Sequence, residues 1–212
     1  ARMYFNGDCD ALLGEALAGG YREKVKVVSK IPPRFVNSEE EFNSTLDDML
    51  KKLQTDYLDV LLTHDMNREA WDRFQQMGMY QWMEKAKQAG KIKAIGFSFH
   101  DDVELFREMV DAYPWAMAQI QMNILDVNYQ ATVEGMKYAA SKGLAIVIME
   151  PLRGGGLANA PEPVQKIYDA YPVKRSPVEW ALRFVYNFPE VSCILSGVST
   201  MEQLKDNIRI FE

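Results

Sequence analysis

Residues 56–65 read Asp-Tyr-Leu-Asp-Val-Leu-Leu-Thr-His-Asp, and this stretch decides the fold class. Its centre, Val60-Leu61-Leu62, is continuously apolar, which is typical of a strand buried on both faces within a parallel sheet. The apolar run gives way to polar groups, and α/β folds carry their chemistry at the carboxyl ends of such strands. His64 is therefore the first candidate for a functional residue.

Strand-like and helical patterns alternate on both sides of this stretch. Strands are predicted to start near residues 25, 58, 92, 118, 144 and 191. Helices are predicted near residues 9–18, 79–89, 103–112, 131–141 and 162–170, and after the N-caps Ser38, Ser176 and Thr200. The separations allow right-handed helical crossovers, so the chain is predicted to be α/β with a parallel sheet. Periodicity alone does not choose between an open sheet and a closed barrel.

Composition excludes several functional classes. The chain has 212 residues, of which 48% are hydrophobic and 25% charged, as in ordinary globular proteins. A net charge of -6 argues against binding nucleic acid or an anionic membrane. Neither a membrane span nor a secretory signal is recognisable. Cys9 and Cys193 lie far apart without metal-ligand spacing, so we expect no metal site and a reducing, cytoplasmic location.

Each predicted strand ends at a polar or small residue. These residues are Lys30, His64, Ser98, Asn123, Glu150 and Ser196-Gly197. In a (β/α)8 barrel such ends converge on one mouth, where they would form a catalytic site. The alternative is that strands generally end where polarity returns. After the last strand, Gly197, Ser199 and Thr200 precede a helix, which suits an anion site or, equally, simple capping by Thr200 and Gln203.

Seven motifs occur in a recognisable order. They are Ala1-Arg2-Met3-Tyr4, Leu13-Gly14-Glu15-Ala16-Leu17, Ser29-Lys30, the stretch from Asp56 to His64, the stretch from Gly90 to Ser98, Pro151-Leu152, and the stretch from Gln203 to Asn207. In this order the chain resembles the aldo-keto reductase family, closest to the bacterial and archaeal branch that often carries a C-terminal ferredoxin-like 4Fe-4S domain.

The resemblance implies a (β/α)8 TIM barrel. Residues 1–212 would form a single, incomplete barrel domain with six βα units, truncated at both ends and lacking the first two strands. A 4Fe-4S cluster would then belong only to a missing C-terminal region.

The resemblance also implies an activity, the NAD(P)H-dependent reduction of an aldehyde or ketone to an alcohol. Tyr4 would protonate the carbonyl oxygen, and Lys30 would ease the release of that proton. His64 would direct a hydrogen bond at the carbonyl. The structural alternatives are a loop aromatic for Tyr4, a snorkelling cation for Lys30 and a satisfied core histidine for His64.

Ten residues are implied in cofactor binding. Ser98 and Gln119 would bind the nicotinamide amide, Met149 would cover the nicotinamide face, Pro151, Leu152 and Gly154 would hold the pyrophosphate, and Gly197, Ser199, Gln203 and Asn207 would hold the adenosine phosphate and adenine.

This chain departs from the family pattern at three positions. Phe99, with His100 beside it, follows Ser98 where an Asn is common, and Met149 replaces an aromatic. Gln203 stands where an Arg often grips the 2′-phosphate; Lys205, Arg209 or Arg153 would have to take its place. NADP is therefore favoured only slightly over NAD.

Two other functions stay open from the sequence. One is a cofactor-binding regulatory barrel without turnover. The other is an unrelated (β/α)8 phosphate-binding lyase or isomerase, in which Lys30 would form a Schiff base. The sequence does not predict the oligomeric state.

Overall fold

A computed structural model describes residues 8–212, and Tyr4 lies outside the described residues. Over this range the chain forms nine α-helices and six strands. It divides into two compact units, one extending to Ala118 and the other comprising Gln119–Glu212. Our expectation of a single barrel domain stays a prediction. Within residues 8–212, no helix has the length and apolar character needed to cross a bilayer.

Strands and helices alternate in both units. The first unit contains α1 (Cys9–Ala16), β1 (Val28–Ile31), α2 (Glu39–Lys52), β2 (Leu58–Met66), α3 (Arg68–Met77), α4 (Met79–Gln88), β3 (Ile92–Phe99) and α5 (Val103–Ala112). The boundary falls within β4 (Met117–Gln121). The second unit contains α6 (Thr132–Ser141), β5 (Ala145–Met149), α7 (Glu162–Ala170), α8 (Pro177–Tyr186), β6 (Val191–Ile194) and α9 (Met201–Phe211).

The strands follow one another in the sheet in chain order, β1-β2-β3-β4-β5-β6. In the first unit β1 pairs in parallel with β2, and β2 in parallel with β3. In the second unit β5 pairs in parallel with β6. These pairings confirm the predicted α/β class.

Burial explains why β2 is central to the first unit. Leu58, Leu61 and Leu62 are completely buried in it, as the apolar run predicted. Gly96 on β3 allows β4 to approach closely, because a Cβ at this position would lie 2.4 Å from the Met117 carbonyl oxygen. Helix α2 buries one apolar face of its own, which is formed by Phe42, Leu46, Met49 and Leu50.

Local structure departs from the sequence predictions at several places. Helix α3 was not predicted, since it is mostly polar and buries only Trp71 and Phe74. Ser38 caps α2 as expected, because its hydroxyl oxygen accepts the Glu41 N–H. The Glu41 carboxylate, which would accept the Ser38 N–H in a complete capping box, accepts the Asn37 N–H instead. Strands β4, β5 and β6 end one to three residues before the predicted polar residues.

Candidate active site

His64 lies near the carboxyl end of β2 and is only 4% exposed. Burial, followed by the positive charge of Lys30, lowers the pKa of His64 to about 4, against the opposing effect of Asp65. The imidazole is therefore neutral at physiological pH and can donate one N–H hydrogen bond without carrying charge.

Lys30 lies on the neighbouring strand β1. It pairs with Leu62, two residues before His64, so both side chains belong to the same face of the sheet. Burial lowers the pKa of the Lys30 ammonium below its ordinary value. The structure thus brings together two of the three predicted catalytic residues. Tyr4 lies outside the described residues, and its role stays a prediction.

Ser98 fixes the backbone that follows His64. Its hydroxyl oxygen accepts a hydrogen bond from the Asp65 N–H at 3.0 Å, and its side chain is fully buried. Asp65 has a φ of 61°, a left-handed conformation that Asp adopts more readily than most residues. The predicted contact of Ser98 with a nicotinamide amide stays a prediction.

A small cavity of about 80 Å³ adjoins His64 in the first unit. Arg34 and Asp65 line it and form an ion pair, with Nη1 and Oδ2 2.5 Å apart. Burial alone would raise the pKa of Asp65, but the hydrogen bond and charge of Arg34 outweigh it and lower that pKa. Sequence reasoning missed Arg34, whose only signal is its position four residues after Lys30.

A larger cavity of about 540 Å³ lies in the second unit, within the size range of cofactor sites. Eight of the ten predicted cofactor residues line it: Met149, Pro151, Leu152, Gly154, Gly197, Ser199, Gln203 and Asn207. Gln119 is not among its lining residues and donates to the Met149 sulfur at 3.5 Å. Val178 and Asp206 also line the cavity. Val178 lies outside the seven motifs, and Asp206 lies within the stretch from Gln203 to Asn207 but was not among the predicted binding residues.

The turn after β5 gives this cavity an open backbone surface. Glu150, Arg153, Gly154 and Gly155 all have positive φ, between 50° and 90°. A Cβ built on Gly155 or on Gly197 would meet no atom within 4 Å. A pyrophosphate can therefore approach the main chain closely, which is the property that glycine-rich phosphate sites need.

Asn123 holds this turn in place. Its Nδ2 donates to the Glu150 carbonyl at 3.1 Å and to the Asp126 carboxylate at 2.7 Å. Asp126 in turn lies 3.4 Å from Nε of Arg153. The Asn123 amide thus binds the start of the segment from Glu150 to Arg153, and the Asp126 carboxylate binds its end.

The start of α9 borders the same cavity. Gln203 Oε1 accepts the N–H groups of Ser199 at 2.8 Å and Thr200 at 3.3 Å, and Thr200 Oγ1 accepts the Gln203 N–H. The predicted cap is thus confirmed as a complete capping box. An anion site at the same N–H groups stays a prediction.

Three cations are candidates to bind the 2′-phosphate of NADP. Arg209 contacts Glu179 at 3.0 Å and Asp206 at 2.8 Å, and Arg153 is paired with Asp126. Lys205 is exposed and lines a surface depression together with Gln203 and Arg209. Of these three cations, Arg153 and Arg209 are paired with carboxylates, and Lys205 is exposed beside Gln203.

The sequence of this chain is similar to those of known proteins. The family model described as "Aldo/keto reductase family" matches residues 1–212. L-galactose dehydrogenase of Arabidopsis thaliana is 24% identical over 188 residues, covering 81% of this chain and 58% of that protein. Methylglyoxal reductase YeaE of Escherichia coli is 35% identical over 105 residues, covering 50% of this chain and 34% of that protein. The chain thus matches less than two thirds of each relative's length.

A solved structure establishes the fold. The aldo/keto reductase from Klebsiella pneumoniae in complex with NADP and acetate superposes with a TM-score of 0.79 at 23% identity, covering 100% of this chain and 72% of that one. This similarity confirms the (β/α)8 barrel fold class that the sequence predicted.

Proposed function

Because the chain belongs to the aldo/keto reductase family, we propose that the protein is an NAD(P)H-dependent oxidoreductase that reduces an aldehyde or ketone to an alcohol. The observation that carries this proposal is the neutral, buried His64 next to Lys30 at the carboxyl ends of β1 and β2. Carboxyl ends of barrel strands are where enzymes with this fold perform their chemistry.

The larger cavity fits a dinucleotide. The glycine turn after β5 would take the pyrophosphate, and the residues at the start of α9 would take the adenosine end. When bound, a nicotinamide cofactor supplies the hydride for the carbonyl carbon. Asn123 and Asp126 contribute by holding the turn from Glu150 to Arg153 in its open conformation.

The residues of the first unit would handle the carbonyl oxygen. A neutral His64 donates a hydrogen bond to this oxygen and stabilises the negative charge that develops on it. By resemblance, Tyr4 then gives its phenolic proton to the same oxygen, and the ammonium of Lys30 stabilises the phenolate that remains.

We propose NADP as the slightly favoured cofactor. Lys205 is available for a 2′-phosphate, whereas Arg153 and Arg209 are already paired with carboxylates. A fluorescence titration tests this preference, and Lys205→Met is expected to weaken the binding of NADPH about tenfold while changing that of NADH little. Equal losses for both cofactors would contradict the assignment.

The substrate class we propose is a small carbonyl compound rich in oxygen. Two relatives are named for L-galactose and methylglyoxal, which are molecules of this kind. A cytoplasmic location, and a 4Fe-4S cluster in a region outside residues 1–212, remain predictions from the sequence.

The decisive experiment measures NADPH oxidation by the full-length protein with small aldehydes, and NADPH binding by fluorescence. His64→Gln is expected to lower kcat about 100-fold because a hydrogen bond to the developing oxyanion is lost. NADPH should still bind to this variant. Asp47→Asn, which changes an exposed ion pair with Lys91, is the matched control and should keep full activity.

Two outcomes would overturn the proposal. NADPH binding without turnover of any carbonyl compound would favour a regulatory barrel. Trapping of a substrate on Lys30 by borohydride would favour a Schiff-base lyase, which the lowered pKa of Lys30 makes the second candidate.

A further inference from the structure

The small cavity beside His64 indicates which substituent of a substrate would fit there, an inference that rests on the proposed carbonyl reduction. Its volume of about 80 Å³ admits a group of only a few heavy atoms. Within the described part of the first unit, its lining residues include no Phe, Tyr, Trp, Leu, Ile, Val or Met. An apolar substituent would therefore gain little from burial here, since that gain scales with apolar contact area.

The charges of the residues that line the cavity balance, and Lys30 is not among these residues. Arg34 and Arg73 contribute two positive charges, Asp65 and Glu69 contribute two negative charges, and His64 is neutral at physiological pH. Arg73 is committed to the protein, because its guanidinium donates to the carbonyls of Pro33 at 3.0 Å and Val36 at 2.7 Å. A charged substrate would disturb this balance, whereas a neutral polar substrate would not.

The Arg34–Asp65 pair is held in place from both sides. The backbone N–H of Asp65 is bound by the buried Ser98 hydroxyl, directly after His64. Arg34 lies in the short helical turn Pro33–Phe35, whose Pro33 carbonyl is gripped by Arg73. Both partners are half-exposed at the cavity, so a ligand can reach their polar atoms. A fixed carboxylate and guanidinium side by side offer one strong acceptor and several donors to a hydroxyl group.

We propose that the Arg34–Asp65 pair selects neutral carbonyl substrates that carry a hydroxyl group on the carbon next to the carbonyl. With the carbonyl oxygen at His64, this hydroxyl donates to the Asp65 carboxylate and accepts from the Arg34 guanidinium. His64 and Asp65 line the same cavity although they are consecutive in the chain, because the φ of 61° at Asp65 interrupts the alternation of side chains along the strand. The pair is thus a determinant of specificity, and His64 acts on the carbonyl itself.

The test compares lactaldehyde with propionaldehyde, which differ by this one hydroxyl group, and includes glyoxylate as an anionic aldehyde. The full-length wild-type protein should show a higher kcat/KM for lactaldehyde than for either of the others. Asp65→Asn and Arg34→Met should each lower the lactaldehyde-to-propionaldehyde ratio of kcat/KM about tenfold, the range expected for a hydrogen bond to a charged group. Asn is chosen at position 65 because it tolerates a positive φ.

Matched controls change comparable exposed ion pairs elsewhere. Asp47→Asn and Arg68→Met should leave the ratio as it is in the wild type. An unchanged ratio in both Asp65→Asn and Arg34→Met, with both aldehydes reduced, would refute the specificity role alone. Failure to reduce any aldehyde would refute the proposed function, and the inference with it.

A second measurement needs no variant. Propane-1,2-diol should inhibit the wild-type protein more strongly than propan-1-ol, because only the diol presents the adjacent hydroxyl group. Equal inhibition by the two alcohols would contradict the proposal even if the variants fail to fold.

Discussion

His64, the proposed hydrogen-bond donor to the substrate carbonyl, also affects the stability of the fold. Its pKa of about 4 in the folded chain lies below the value of about 6.5 expected in the unfolded chain. Protonation therefore favours unfolding. The stabilisation from a neutral His64 is complete above about pH 6.5 and is lost as the pH falls through 4.

This reasoning predicts a measurable pH dependence. Wild-type protein should lose on the order of 2 kcal/mol more unfolding free energy than His64→Gln between pH 7 and pH 4. Urea denaturation measures the difference, and imidazole NMR gives the pKa directly, since the chain has only two histidines. A His64 pKa near 6.5 would show that the imidazole is not desolvated as described.

The sequence predicted His64 and Lys30 because a polar residue at the end of an apolar strand is a local pattern. It did not predict the contribution of Arg34. At the left-handed turn the Asp65 N–H donates a hydrogen bond to the hydroxyl oxygen of Ser98, 33 residues further along the chain. Contacts of this kind arise only from the tertiary fold, so no local pattern reveals them.

At the scale of elements, Asp59 fastens the opposite end of β2 from His64. It is 6% exposed, accepts the Val27 N–H at 2.9 Å and lies 3.2 Å from the Arg22 guanidinium. The hydrogen bond and the nearby cations keep the pKa of Asp59 below its ordinary value despite the opposing effect of burial. In barrel enzymes this end of a strand generally serves stability, while the opposite end, where we propose that His64 acts, carries the chemistry.

Asp59→Asn is therefore expected to cost about 3 kcal/mol of unfolding free energy, because it leaves Arg22 buried without its carboxylate. The kcat of the protein that remains folded should change less than threefold. Chemical denaturation and steady-state kinetics measure the two effects, with Asp47→Asn as the exposed counterpart. A large loss of kcat with intact stability would mean that this end of β2 also takes part in catalysis.

Element boundaries followed the sequence where caps were explicit, as at Ser176 and Thr200. Helix α3 was missed because its two buried aromatics, Trp71 and Phe74, make too short an apolar pattern to indicate a helix. Its N-cap Asn67, which accepts the Ala70 N–H, was a usable signal. At Ser38 the sequence predicted the helix start but not the full set of hydrogen bonds, because the Glu41 carboxylate accepts the Asn37 N–H.

At the scale of the molecule, the alternation of strands and helices predicted the α/β class, but not whether the sheet closes. Each βα unit has the same local pattern in an open sheet and in a barrel, so the choice came from the resemblance and then from structural comparison. Half of the residues that line the larger cavity were predicted to bind cofactor, because a motif marks the turn and the helix that border it. Val178 lies on an unmarked helix and Asp206 at a position that the motif leaves open, so neither was predicted.

Cofactor binding should stabilise the protein in a localised way. NADPH at 100 times its dissociation constant is expected to raise the unfolding free energy by about 2.7 kcal/mol. Hydrogen exchange should slow most in residues 150–156 and 196–207, which border the larger cavity. Thermal unfolding and exchange mass spectrometry measure these effects, and protection confined to other segments would place the cofactor elsewhere.

The capping box at the start of α9 also bears on how quickly a cofactor can leave. The backbone N–H groups of Ser199 and Thr200 already have an occupant, the amide oxygen of Gln203. An incoming phosphate that uses these groups must first displace that oxygen, so its affinity is the difference between two competitors for the same donors. At the predicted anion site, the Gln203 oxygen would return to these N–H groups when the phosphate departs. Such an internal competitor would favour exchange of the cofactor over tight retention.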